Sequence, residues 1–279
     1  MKDALLIIDF SNLFYKAMKL TNMSLTWNGQ STTGVYGFIN QFQETVNAIK
    51  PEYVVICSDS KPYHRSKLFP DYKKKPLAEF DQQIHDDHKM NRSKTIEFLE
   101  LLGIEFWEEK GFEADDLIAL TCNKYQNDFR RIVVSSNDSD LYQLLKANNV
   151  CIRKKIKNKT TLYSIVNFKE EFGGINTSQY IKYLAIKGTH NSVPGIPGLG
   201  EVKALKIVKD LSLLNKLYKE HGQELMLYEK LIKLPLGMPT ERTPELKKVQ
   251  YNERRMLKFM ISLGIDLTKP MINAFNQLT

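Results

Sequence analysis

The sequence predicts an α/β protein with a parallel central sheet flanked by helices, followed by a second region in which helices dominate. Three observations support this prediction. Short apolar runs alternate with helical patterns through the first half of the chain, a hairpin pattern follows at about residues 150–165, and apolar residues at helical spacing prevail from residue 166 onward. At 279 residues, of which 42% are hydrophobic, the chain is long enough to bury a substantial core.

Four short runs, each bounded by polar turns, predict the strands of the sheet. These runs are ALLII (4–8), YVVIC (53–57), IEFWE (104–108) and RIVVSS (131–136). Between them, helical spacing of apolar residues predicts helices over residues 35–49, 93–102 and 115–125. Strands separated by helices of this length form right-handed crossovers, so we expect them to be parallel. The segments VCIRKKI and TTLYSI flank KNKT and predict an antiparallel hairpin.

Charge and cysteine content narrow the class of protein. Lys and Arg number 40 and Asp and Glu 32, so the net charge of 40 − 32 = +8 favours a polyanionic partner such as nucleic acid, although a merely soluble basic protein shows the same balance. Cys57, Cys122 and Cys151 form no CxxC pair, which argues against a zinc cage or a disulfide framework. The sequence contains no signal-peptide pattern and no run that could span a bilayer, so we expect a cytoplasmic protein.

Acidic residues follow each of the four predicted strands. They are Asp9, Asp59, Glu113, Asp115, Asp116, Asp138 and Asp140. The carboxyl ends of parallel strands meet at one edge of a sheet, so we expect these side chains to gather there. Any one of them also suits a helix N-cap or the positive end of a helix dipole. The joint pattern favours a metal site, and acids without nearby His or Cys favour Mg²⁺ or Mn²⁺ and two-metal phosphodiester hydrolysis.

A basic segment follows the second predicted strand. Residues 60–76 contain the cations Lys61, Arg65, Lys67, Lys73, Lys74 and Lys75. Read alone, such a run indicates a solvated loop. Next to a cluster of acids, these cations could bind the scissile phosphate, and Tyr63 or Tyr72 could stack on an unpaired base. The connection over 60–92 is longer than an ordinary loop, which predicts a lid or an arch.

The segment IKGTHNSVPGIPGLGEVKALKIV, residues 186–208, predicts a helix-hairpin-helix motif that binds DNA. Its glycines, Gly195, Gly198 and Gly200, permit close approach of the backbone, and a helix begins near Glu201. Backbone amides there, together with Lys203 and Lys206, could bind phosphates without reading the base sequence. A plain corner between two helices is the alternative, because the same turn signals suit it.

On these residues the chain resembles the bacteriophage and bacterial 5′ nucleases, which are also called flap endonucleases or 5′-3′ exonucleases and include the 5′ nuclease domain of bacterial DNA polymerase I. The resemblance runs nearly the whole chain. It rests on IIDFSNLFYKA, NGQSTTGVYGFIN, SDSKPYHRSKLFPDYKKKP, FEADDLIA, SSNDSDLYQLL and GIPGLGEVKA. It implies a PIN-like nuclease core over residues 1–165, with an arch over about 63–92, and a helical DNA-binding region over 166–279.

The resemblance also implies roles for individual residues. The first metal site would be built by Asp9, Asp59, Glu113, Asp115, Asp116 and Asp138. A second site would share Asp138 and add Asp140. Lys73 and Arg65 would contact the cleaved phosphate, and Tyr72 would contact DNA. A monovalent cation at the hairpin is a further expectation.

The chain departs from the family pattern at two places. The acidic block that the family has before the hairpin falls on Gly188, Thr189 and Asn191, and none of these residues has a carboxylate. We therefore expect one firm metal site and one weak site. Pro76 stands where many members of the family have an arginine.

The function implied is that of a Mg²⁺- or Mn²⁺-dependent 5′ nuclease, which would hydrolyse phosphodiesters of a DNA flap, a 5′ end or an RNA primer–DNA junction in replication or repair. A monomer in the cytosol of a bacterium or a phage-infected host is expected, without membrane contact and with a polymerase or single-strand-binding protein as candidate partner. One alternative is a structure-specific DNA-binding protein that cleaves weakly because the second metal site lacks its acids. Another is a ribonuclease of the related PIN-like fold, which normally lacks a region like residues 186–208.

Overall fold

The strands form one large sheet and one small hairpin in the computed structural model, which describes residues 1–19, 25–74, 82–156, 159–189, 193–237, 240 and 242–279. They are β1 (Lys2–Asp9), β2 (Thr26–Trp27), β3 (Gln30–Ser31), β4 (Tyr53–Ser58), β5 (Glu105–Glu108), β6 (Phe129–Ser135), β7 (Val150–Ile156) and β8 (Lys159–Tyr163). The large sheet has the order β5-β4-β1-β6-β7-β8, in which only β8 is antiparallel to its neighbour. The small hairpin consists of β2 and β3.

Helices cover both faces of the large sheet. In the first half they are α1 (Phe10–Lys19), α2 (Thr33–Ile49), α3 (His64–Leu68), α4 (Gln82–Leu101), α5 (Ala114–Tyr125) and a 3₁₀ helix (Ser139–Lys146). In the second half they are α6 (Ile165–Glu171), α7 (Thr177–Lys187), α8 (Glu201–Lys209), α9 (Leu211–Ile232), α10 (Glu253–Ser262) and α11 (Lys269–Leu278). None of the helices in the described parts of the chain is long and apolar enough to cross a membrane.

Strand β1 separates two hydrophobic cores. Leu5 and Ile7 pack into a core with α5, α7, α8 and α9, whereas Leu6 and Ile8 pack into a core with α1, α2, α4, α10 and α11. Because successive side chains of a strand point to opposite faces, a strand covered on both faces must be apolar throughout. This explains the uninterrupted run ALLII at the start of the sequence.

The α/β fold, the four predicted parallel strands and the hairpin at 150–165 are confirmed. The helices predicted over 35–49 and 115–125 also form, each beginning one or two residues earlier. Helix α4 differs most, because it begins at Gln82 and not at residue 93. Its first half is mostly polar, so apolar periodicity could not reveal it.

The two C-terminal helices pack against the first half of the chain. Phe275 of α11 is buried against Phe98 of α4, with ring centroids 5.6 Å apart. The predicted division of the chain at residue 165 remains a prediction, but these two helices are part of the core that covers one face of the sheet. Lys75, Pro76 and Asn191, which the sequence analysis singled out, lie outside the described residues.

Candidate active site

The acids that follow the strands converge on one edge of the sheet. Asp9 is the last residue of β1, and Asp59 follows β4, which pairs with β1. On the other side of β1, Asp138 follows β6 and caps the 3₁₀ helix by accepting a hydrogen bond from the Asp140 amide at 2.8 Å. Asp59 accepts a hydrogen bond from the amide of Ala114 at 3.1 Å. This contact holds the start of α5, with its acidic turn, against the end of β4.

Asp9 is a buried carboxylate at the centre of this edge. It accepts hydrogen bonds from the Asn12 amide at 3.0 Å and from the Ser136 hydroxyl at 2.9 Å, and only 6% of its surface is exposed. Burial raises the pKa of Asp9 to about 7, and repulsion from Asp59 and Asp138 adds to the shift although the two hydrogen bonds oppose it. A cation beside Asp9 would therefore be strongly favoured.

Asp115 and Asp140 are affected in the same way. The pKa of Asp115 is raised well above its ordinary value, mainly by burial and secondly by repulsion from Asp138. The same two causes raise the pKa of Asp140 to about 7. Asp138 itself is exposed. Three crowded carboxylates with raised pKa values, together with the exposed Asp138, form a cluster in need of positive charge.

The other two acids of the α5 turn are engaged with a buried arginine. Asp116 is fully buried and receives two hydrogen bonds from Arg65, at 2.5 and 2.8 Å, and another at 2.7 Å from the Leu236 amide. Arg65, which is 2% exposed, also donates to Glu113 at 2.8 Å and to the Leu231 carbonyl at 2.7 Å. These partners differ from the metal predicted for the two acids and from the cleaved phosphate predicted for Arg65.

Lys73 is a second cation of the basic segment that reaches the acids. Its ammonium group donates a hydrogen bond to Glu113 and lies 5.6 Å from the ring centres of both Tyr63 and Tyr72. Burial alone would lower the pKa of Lys73, but the charge of Glu113 raises it, so the side chain stays protonated. Tyr72 is buried and donates its hydroxyl to Glu113 at 2.8 Å. Tyr72 is thus held by Glu113 in the wall of a cavity, and its predicted DNA contact stays a prediction.

A cavity of about 270 Å³ is lined by acids of the cluster and by residues of α7 and α9. Its lining includes Lys73, Asp115, Asp138, Asp140, Lys187 and Thr189. The carboxylates come from the start of α5 and from the segment after β6, whereas α7 contributes Leu184 and Lys187 to the lining. A phosphate group in this cavity would meet both the acidic cluster and the two lysines.

A second cavity, of about 780 Å³, lies on the other side of Lys73 and contains residues that the sequence analysis missed. Tyr15 is 53% exposed there, and its ring lies 5.3 Å from that of His88. His88 and Arg92 belong to the part of α4 that was not predicted to be helical. Tyr15 could have been found from the sequence, because helical spacing places it on the side of α1 away from Phe10, Phe14 and Ala17.

The hairpin before α8 has a buried part and an exposed part. Gly188 and Gly195 have φ values of +85° and +75° and pack against each other, and the Ile196 amide donates to the Ile186 carbonyl at 2.8 Å. Gly195 is buried, so its small size serves the packing of this chain.

The exposed part of the hairpin faces solvent at the start of α8. Gly198 has a φ of +78°, and both Gly198 and Gly200 are exposed. Lys203 donates to the Gly198 carbonyl at 3.0 Å, and Lys206 is exposed one turn further on. All four residues are therefore accessible from solvent, as the predicted contact with phosphates requires.

The donors at the sheet edge suit a hard divalent ion, since they are carboxylates without His or Cys. Among the described residues, no three acidic, His or Cys side chains converge closely enough to form a completed metal site. Just after α7, Gly188 and Thr189 contribute no carboxylate, and the Thr189 hydroxyl accepts a hydrogen bond from the Val193 amide at 3.2 Å.

Comparison with known proteins places the chain among nucleases. A family described as "5′-3′ exonuclease, N-terminal resolvase-like domain" matches residues 4–173. A 5′-3′ exonuclease of Aquifex aeolicus is 28% identical over 91% of this chain and 89% of its own length. DNA polymerase I of Caldicellulosiruptor bescii is 27% identical over 93% of this chain, which spans only 32% of the polymerase.

Solved structures share the fold. A 5′-exonuclease of bacteriophage T5 with bound zinc has a TM-score of 0.68 at 14% identity, covering 99% of this chain and 98% of its own. A complex of the T5 D15 flap endonuclease with DNA and metal ions has a TM-score of 0.69 at 14% identity, covering 99% and 97%. Flap endonuclease-1 of Methanococcus jannaschii has a TM-score of 0.67 at 18% identity, covering 99% and 92%.

Proposed function

The chain belongs to the 5′-3′ exonuclease family, and on this premise we propose that it is a divalent-metal-dependent phosphodiester hydrolase that cleaves DNA at 5′ ends or 5′ flaps. The observation that carries this proposal is the cluster of Asp9, Asp115, Asp138 and Asp140, which adjoins a cavity that Lys73 also lines. Asp115, Asp138 and Asp140 line the cavity, and burial raises the pKa values of Asp9, Asp115 and Asp140, so the cluster is arranged to receive positive charge.

The comparisons support DNA as the substrate and a divalent ion as the cofactor. One relative is named a 5′-3′ exonuclease, and one structural neighbour was solved with DNA and metal ions. The oxygen donors of this chain favour Mg²⁺ or Mn²⁺. We propose a role in DNA replication or repair, including removal of RNA primers, because the relatives include DNA polymerase I.

The acidic cluster would hold the metal. A divalent ion held there would supply Lewis acidity and would activate a water molecule for attack on the phosphodiester. Asp59 positions the site, since its carboxylate accepts hydrogen bonds from the Ser11 hydroxyl at 2.5 Å and from the start of α5. Lys73 is the group that would contact the scissile phosphate and stabilise the charge that develops on its oxygens.

Arg65 would act through other residues. Its guanidinium links α3, the acidic turn of α5 and the end of α9 by hydrogen bonds to Asp116, Glu113 and Leu231. Glu113 in turn contacts the ammonium of Lys73. Arg65 is thus proposed as a positioning residue for Lys73.

The substrate would be held on two sides of the cleavage site. Duplex phosphates would bind at the exposed residues Gly198, Gly200, Lys203 and Lys206. The cavity beyond Lys73 has the volume, the aromatic side chains and the nearby cations that unpaired nucleotides need.

The proposal is tested by cleavage of a 5′-flap duplex labelled at its 5′ end, across a series of Mg²⁺ and Mn²⁺ concentrations. Products should appear only with a divalent ion. The rate of cleavage should be lower by about a hundredfold or more in the variants Asp138→Ala and Lys73→Ala. Binding of the flap without cleavage, at every metal concentration, would support the alternative of a DNA-binding protein. The missing carboxylates at Gly188 and Thr189 are the observation that keeps this alternative open.

A further inference from the structure

We propose that Lys187 is a second phosphate-binding residue of the catalytic cavity. Its ammonium group supplies part of the positive charge that a second metal ion would bring. This inference rests on the proposed function, and it concerns a residue for which the resemblance to 5′ nucleases implied no role. Lys187 is the last residue of α7 and lines the same cavity as Asp138 and Asp140.

The charges that line the cavity distinguish Lys187 from the other cations. Arg65 is buried and forms ion pairs with Asp116 and Glu113, and Lys73 forms an ion pair with Glu113. Among the described cations of the lining, Lys187 is therefore the one that forms no ion pair with an acid of the lining, because its ion-pair partner Glu201 lies outside the cavity. Its charge nevertheless opposes the rise that burial causes in the pKa of Asp140.

That partner holds Lys187 weakly. The ammonium nitrogen of Lys187 lies 3.3 Å from Glu201 Oε1, and the Glu201 side chain is 76% exposed. Exposed ion pairs of this kind contribute little to stability. The ammonium also lies 5.3 Å from the ring centre of Tyr183 on the same helix, and Lys187 itself lines the cavity. A phosphate in the cavity could therefore replace Glu201 as the partner of Lys187.

The backbone around Lys187 explains why a side-chain cation is useful there. Gly188 turns the chain with a φ of +85°, and its hydrogen-bonded neighbour Thr189 packs toward Val193. Neither residue can hold a metal ion with a carboxylate. An ammonium group beside them can bind a phosphate oxygen by a charge-assisted hydrogen bond, which needs no metal at this wall.

Three variants separate this role from a purely structural ion pair. Lys187→Met removes the charge, Lys187→Arg keeps it, and Glu201→Gln breaks the same ion pair while leaving Lys187 in place. Binding of a fluorescein-labelled 5′-flap duplex is measured by anisotropy in EDTA across a salt series, and cleavage is measured separately in Mg²⁺. Melting temperatures verify that each variant is folded.

We expect Lys187→Met to bind the flap about tenfold more weakly, with a salt slope reduced by about one, and to cleave it more slowly. Lys187→Arg should recover most of the affinity, and Glu201→Gln should bind at least as well as the unmodified protein. The inference is overturned if Glu201→Gln reproduces the defect of Lys187→Met, or if the salt slope does not change. A protein that binds but never cleaves would contradict the proposed function alone, because the salt series in EDTA does not depend on cleavage.

Discussion

Neighbouring residues of the acidic turn have different surroundings. Successive residues of a helix point about 100° apart, so Asp115 and Asp116 cannot both face the cavity. Asp115 lines it, whereas Asp116 points inward to Arg65 and the Leu236 amide. One carboxylate of the pair is therefore available to a cation from solvent, and the other neutralises a charge in the interior.

Removing the buried guanidinium should destabilise the protein strongly. Arg65→Ala leaves Asp116 as an unpaired charge in the core, which typically costs about 3–5 kcal/mol. Lys67→Ala, on the same short helix but exposed, is the matched control and should change the unfolding free energy by less than about 0.5 kcal/mol. Urea unfolding measures both. If the two variants proved equally stable, the contribution of the Arg65–Asp116 pair to the fold would be negligible and our account of it wrong.

The raised pKa of Asp9 predicts an unusual pH dependence for the metal-free protein. Asp9 takes up its proton near pH 7 in the folded state but near its ordinary value of 3.8 when unfolded. The folded state therefore binds more protons between these values, and stability falls as the pH rises from about 4 through 7. Asp140 acts in the same direction.

Asp9→Asn should therefore raise the melting temperature of the metal-free protein at pH 8, by about 2–4 °C for each kcal/mol of repulsion removed, while abolishing cleavage. An asparagine can keep the contacts to Asn12 and Ser136. Asp266→Asn, at an exposed position far along the chain, is the control and should leave both the melting curve and its pH dependence unchanged. Equal melting temperatures of Asp9→Asn and the unmodified protein at pH 8 would contradict the shift.

Among the elements, the hairpin before α8 depends on two backbone positions. A Cβ atom on Gly188 would lie 2.6 Å from the Pro194 carbonyl oxygen, and one on Gly195 would lie 2.6 Å from the Lys187 carbonyl carbon. Both glycines also have positive φ values, which are unfavourable for other residues. Glycine is therefore needed at both positions because the two ends of the hairpin contact each other closely.

Gly195→Ala should open the hairpin and cost roughly 2 kcal/mol or more, because strain and a backbone clash add. DNA binding should weaken with it, since the exposed part of the hairpin loses its support. Gly222→Ala, where no atom lies within 4 Å of the added methyl group, should be neutral or slightly stabilising. Thermal unfolding together with flap binding tests the pair, and a harmless Gly195→Ala would show that the close packing of the two glycines is dispensable.

The exposed lysines of α8 should contribute affinity without affecting chemistry. The double variant Lys203→Ala with Lys206→Ala should weaken duplex binding and reduce the salt slope by up to about two, one for each phosphate that is no longer neutralised. Lys258→Ala serves as the control, because it removes an exposed charge from α10, a helix that packs on the other face of the sheet. A titration of duplex at several salt concentrations makes the comparison. An unchanged slope in the double variant would place the duplex elsewhere.

Periodicity and turn residues predicted the sheet well because its strands are buried on both faces and bounded by polar turns. They also located the acids, since the carboxyl ends of parallel strands share an edge. The partners of Arg65 and Tyr72 could not be predicted, because they come from segments more than 40 residues away in the chain. The polar start of α4 was missed for a different reason: it lacks the apolar periodicity of a buried helix, and its buried residue Asn91 is itself polar, accepting a hydrogen bond from the Val35 amide at 3.0 Å.

At the scale of the whole molecule, the site lies where the two cores of the protein meet at one sheet edge. Lys73 and the acidic turn are supported by the core that contains α5, α7, α8 and α9, whereas α1 and α4 belong to the other core. The chain returns to that second core only at its end, through α10 and α11. Stability of the catalytic edge should consequently depend on residues that are remote from it in sequence.

Phe275→Ala tests this dependence. Phe275 of α11 is fully buried between Phe98 and Tyr251, so its truncation should leave a cavity and cost about 3–5 kcal/mol. If the two cores unfold as one unit, urea should melt the variant in a single transition at lower concentration, with cleavage and DNA binding lost together at that midpoint. Gln277→Ala, exposed on the same helix, is the control and should behave like the unmodified protein. A variant that lost stability in one transition while a second, unshifted transition carried all DNA binding would show instead that the C-terminal region is an independent domain.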